Sequence, residues 1–154
     1  MTASAEAAGL PPPWLPRAGL AVTVPLVLIA LAYAGALVVY NGFALAVISN
    51  ATAPEPRDDG LLALFLAANL AAAFAVWSAA TALWRFAQAA RGRPSRARAL
   101  ERIGLGLAAL YFGVAAGDAL LRERADLFGL AATLLPAALS LAALVLLNRL
   151  RKIA

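Results

Sequence analysis

Neither cysteine nor histidine occurs in this chain. Their absence excludes disulfides, thiolate nucleophiles, haem held by His, and most zinc or copper centres. A Ser-His-Asp arrangement is excluded with them. A Ser–Lys pair would have to use the lone Lys152, close to the chain's last residue. The glycine-rich phosphate loop and the dinucleotide fingerprint are missing too. Charge is scarce: 14% of the residues are Asp, Glu, Lys or Arg, against about a quarter in soluble domains. The expectation is a protein that is not an enzyme, with no cofactor, no metal and no catalytic residue.

What the chain has instead is apolar length. Of its 154 residues 64% are hydrophobic, and the mean hydropathy is +0.83. The apolar residues form long blocks, several exceeding the roughly 18 residues that mark a membrane span. Lipid, not water, must solvate much of the surface. Four blocks stand out, at about 18–48, 61–84, 103–121 and 127–148, which predicts an all-α polytopic membrane protein, a bundle of four transmembrane helices. The first block would reach about 46 Å as one helix, against a hydrocarbon core of about 30 Å, so it tilts or projects. Ala51-Thr52-Ala53 has the look of a signal-peptide cleavage site. The apolar region before it is far longer than the usual 7–15 residues, and an uncleaved helix is expected.

The polar stretches organise the rest. Residues 1–17 are small, polar and proline-rich and read as a flexible arm, with Trp14 and Arg17 as interfacial anchors. Residues 49–60 form a polar loop, and 122–126 a short charged turn. Between the second and third blocks, Gly92 and Pro94 break the helix, and Ser95 is the expected N-cap of the next. With the N-terminus inside, the inner segments hold Arg17, six Arg from 85 to 102, and Arg149, Arg151 and Lys152; the outer loops hold Arg57, Arg122 and Arg124. This ten-to-three bias places both termini in the cytoplasm. Twelve Arg against one Lys, with abundant Ala, Gly and Pro, suggests a GC-rich genome and hence a bacterial inner membrane.

Three features are candidates for function. The arginines of the inner segment, Arg91, Arg93, Arg96, Arg98 and Arg102, are suited to anionic lipid headgroups or an acidic partner. No aromatic residue is interleaved among them, and nucleic acid is not an expected partner. On the third block, Gly113-Val-Ala-Ala-Gly117 is a GxxxG, extended backwards by Ala109, and marks a helix-packing face inside the bundle or toward a partner. Asp118 is the only acid inside a block. It is a candidate ion site, although Arg122, one turn on, makes a simple interfacial pair the plainer expectation. Asn41, Asn69, Ser78, Thr81, Thr133 and Ser140 are expected to hydrogen-bond between helices.

Within the stretch from Arg91 to Gly104, Gly92, Pro94, Ser95, Arg98, Leu100, Arg102, Ile103 and Gly104 follow a distinctive order. It resembles the turn between the second and third helices of a small bacterial four-span membrane family of unknown function. That family has a Gly-x-Pro-Phe-Ser-like turn and then an Arg-rich run ending in Ile-Gly; the Phe is absent here. The resemblance implies a four-span fold and carries no activity and no catalytic residues. The functional expectation is a non-enzymatic accessory or scaffolding subunit of a bacterial inner-membrane complex, contacting lipid and other membrane subunits or its own copies. The alternative is a small oligomeric transporter or channel.

Overall fold

Each apolar block is one helix in the computed structural model, which describes residues 11–50, 59–93, 98–121 and 127–153. We number them α1 (Trp14–Asn50), α2 (Asp59–Ala90), α3 (Ala99–Leu121) and α4 (Leu127–Ile153). All four contain a stretch long and apolar enough to cross a membrane: Trp14–Ala44, Leu66–Ala90, Ala99–Gly117 and Gly129–Leu150. The protein is an all-α, four-span membrane bundle. At 1.5 Å per residue, the 37 residues of α1 extend about 55 Å and the 23 of α3 about 35 Å.

The helices run past the apolar blocks, and at the turn between α2 and α3 hydrogen-bonded caps fix where they end and begin. α1 begins at Trp14, four residues before its block, so only residues up to Pro13 remain for an arm, and residues 1–10 lie outside the described set. Pro16 falls in the first turn, where no intrahelical N–H bond is required. α2 continues six residues beyond Trp84 and ends in a Schellman motif. Gly92 takes a φ of 70°, the Arg93 amide donates to the Gln88 carbonyl, and the Gly92 amide donates to that of Ala89, each at 3.0 Å. α3 starts at Ala99, four residues before Ile103. The expected cap, Ser95, lies outside the described residues, and the position before the helix is Arg98, whose amide donates to the Glu101 carboxylate at 3.0 Å. A Glu three residues after the cap, reaching back to the cap's N–H, is half of a capping box.

The chain goes up and down, and the helices form a ring in which α1 packs on α2 and α4, and α3 on α2 and α4. Across the ring, α2 approaches α4, while α1 and α3 meet through the Tyr33 and Phe112 rings, edge to face at 5.0 Å. The core is one-ended. Leu15, Leu26, Phe86, Leu105, Leu147 and Leu150 are buried where α1 and α3 begin and α2 and α4 end. At the other end Val38, Val39, Tyr40, Phe43, Leu66 and Leu70 are all exposed. In lipid, which is as apolar as Leu, burial gains little from expelling water, so the packed end is held by dispersion and close fit. Two glycines set that fit: a Cβ on Gly19 would overlap the Phe86 ring, and one on Gly104 would overlap Ser78.

Proline also shapes α4. Pro136 has no N–H, so the Ala132 carbonyl one turn back loses its helical donor. The Tyr33 hydroxyl supplies it from α1, at 2.7 Å. Tyr33→Phe should therefore cost about 1–2 kcal/mol, since it strands a carbonyl in apolar surroundings. In a Pro136→Ala background, where residue 136 regains its N–H, the cost should shrink toward zero. Unfolding of the four proteins in detergent checks this, and equal losses in both backgrounds would refute the link.

The hydroxyls expected to bridge helices mostly bond within their own. Ser78 donates to Phe74, Thr81 to Trp77 and Thr133 to Gly129, and Thr23, outside that set, to Gly19, all at 2.7–3.1 Å. Each is the carbonyl one turn back, the nearest acceptor when no water is at hand.

Candidate functional site

The densest polar chemistry among the described residues lies at the packed end, around the turn between α2 and α3. Glu101, on the first turn of α3, is 1% exposed. One carboxylate oxygen accepts from the Arg85 guanidinium on α2, at 3.3 Å from Nε and 3.2 Å from the terminal nitrogen. The other accepts from the Arg98 amide. Sixteen residues apart in sequence, Arg85 and Glu101 are brought together because the Schellman turn reverses the chain directly after α2. The pair ties the end of α2 to the start of α3 and closes one wall of the bundle.

Sequence reasoning missed this pair. Glu101 reads as one acid dissolved in an arginine-rich loop, and Arg85 as one more topogenic charge. The available signal was the capping-box spacing, which requires the helix to start at Ala99 and not at Ile103.

The five candidate arginines part company. Arg91 and Arg93 are exposed on the turn, Arg98 is exposed before α3, and Arg96 lies outside the described residues. Arg102 is half-buried, and its Nε is enclosed with no hydrogen-bond partner. Trp14, beside them at the start of α1, is 51% exposed, as suits an interfacial anchor.

The GxxxG face does not serve the bundle's own packing. Gly113 is exposed, Ala109 and Gly117 are half-buried, and a Cβ on either glycine would meet nothing within 4 Å. Gly106, two turns before Gly113, is open in the same way. The small residue that brings α3 against α2 is Gly104, on a different face. The backbone of Asp118 belongs to α3, and its side chain and Arg122 lie outside the described residues.

Where the four helices meet, the centre of the bundle is nearly closed. A gap of about 10 Å³, space for about one water molecule, is bordered by Leu26, Ala79, Leu105, Phe112 and Pro136, with the fully buried Ser140 hydroxyl as its polar contribution. No family model, no curated protein and no solved structure matches this chain, so the resemblance at 91–104 rests on those residues alone.

Proposed function

We propose that this protein is a non-enzymatic accessory or scaffolding subunit of a bacterial inner-membrane complex. The observation that carries the reading is the apolar, nearly filled centre of the bundle. A solute or ion crossing a single copy needs polar groups along a continuous opening, and the gap where the four helices meet offers the Ser140 hydroxyl and about 10 Å³. The open space at Gly113 and Gly117 supports the same reading, since a small-residue groove open to the membrane admits another helix at close range. Purification in mild detergent tests it, with identification of the co-purifying chains. A stoichiometric complex with other membrane proteins is expected; a pure homo-oligomer would favour a transport pathway between copies instead.

The orientation we infer has both termini in the cytoplasm, because Arg17, Arg85, Arg91, Arg93, Arg98, Arg102 and Arg149 all lie at the packed end. The chain has no native cysteine, so single replacements report cleanly. Gly60→Cys should react with an impermeant thiol reagent added to intact cells stripped of their outer membrane. Arg93→Cys should react only after the inner membrane is opened. The opposite pattern would invert the topology.

A further inference from the structure

We propose that the junction of the proline segment with the end of α2 is a binding site for the phosphate of an anionic phospholipid. A cavity of about 200 Å³ opens there. Pro11, Pro13 and Pro16 form one side, and Ala89, Ala90 and Gly92 the other, with Arg17 the charged residue that lines it. A single water needs about 10–15 Å³ of such space, so the cavity is ample for a phosphodiester and its glycerol carbons.

Depth, charge and wall chemistry agree on that occupant. The first membrane-spanning stretch begins at Trp14 and the second ends at Ala90, so the cavity lies at the level of the headgroups. Exposed Arg91 and Arg93 flank Gly92, adding positive charge beside Arg17. Among the described residues the acid at this end is Glu101, which is buried against Arg85 and the Arg98 amide and so does not offset that charge. Carbonyls at a helix C-terminus ordinarily repel an anion; here those of Gln88 and Ala89 already accept from Arg93 and Gly92. Proline rings and alanine methyls offer no N–H or O–H of their own, and suit the carbons beside a phosphate. A free phosphate shares the anion chemistry but makes no use of the proline rings and alanine methyls.

Native mass spectrometry of the detergent-purified chain tests the site, with phosphatidylglycerol, zwitterionic phosphatidylcholine and inorganic phosphate as probes. Phosphatidylglycerol should be retained in preference to phosphatidylcholine. Arg17→Gln should weaken its retention about fivefold, the effect of one near-surface arginine. Ala90→Leu, at an exposed position, fills the cavity without changing charge and should weaken retention as well. Arg149→Gln removes an exposed charge at the same end, outside the cavity, and should leave retention unchanged. Equal retention of the two lipids would overturn the proposal. So would equal losses in Arg17→Gln and Arg149→Gln, full retention in Ala90→Leu, or inorganic phosphate binding that depends on Arg17 as the lipid does.

Discussion

Arg85→Ala should lower the unfolding free energy by about 3 kcal/mol, the lower end of what breaking a buried ion pair costs. Glu101 is 1% exposed and would keep only the Arg98 amide as a partner. The reverse change should be milder. In Glu101→Leu, the Arg85 side chain, already 22% exposed, is free to turn toward water or headgroups. Replacing both by Leu should recover most of the loss, because an apolar pair of similar volume often equals a buried ion pair. Unfolding titrations of Arg85→Leu, Glu101→Leu and the double Leu variant give the full cycle, with Arg85→Ala measured beside them. Arg85→Ala unfolding at the wild-type midpoint would show that the pair does not hold α2 to α3.

The second large effect separates two glycines nine residues apart on α3. Gly104→Leu should cost at least about 3 kcal/mol, because even a Cβ there overlaps Ser78 and lies against the Phe74 ring. Gly104→Ala should be milder, and Ser78→Gly in the same chain should relieve part of it. Gly113→Leu should leave unfolding unchanged, since nothing lies within 4 Å of its side-chain position. Its effect belongs to association: a Leu fills the groove, and the variant should fail to co-purify with the partners of the wild type. Normal association in both Gly113→Leu and Gly117→Leu would make the motif an accident of a chain rich in Gly and Ala.

The contrast between these glycines shows what could be read from sequence. The spans were legible because twenty or so apolar residues in a row have few structures open to them in lipid, and the charged turns mark where each run stops. Which side of α3 packs was not legible. A membrane helix is apolar all round, so the periodicity that betrays the buried face of a soluble helix is missing. Gly104 and Gly113 carry identical chemistry, and only the positions of Ser78 and Phe74 on another helix tell them apart. The helix ends were misjudged for a related reason. Caps at Gly92 and Glu101 lie among arginines, where hydropathy falls before the hydrogen-bonded helix does. The Tyr33–Ala132 bond could have been half anticipated, since Pro136 announces an orphaned carbonyl but not its donor.

The one-ended core gives the molecule a gradient of local stability. Near Leu15, Phe86, Leu105 and Leu147, parting two helices means undoing interlocked side chains and the Arg85–Glu101 pair together. Near Val38, Tyr40 and Leu66 it means exchanging contacts with lipid for other contacts with lipid. Sub-global opening should therefore start at the far end and travel toward the termini, as the jaws of a clothes peg part while its spring stays closed. Backbone amides around Val38 and Leu70 should exchange with deuterium well before those around Leu26 and Ala82. A neighbouring helix can then enter between the jaws and take up new contacts there without unfolding the end that holds the bundle together.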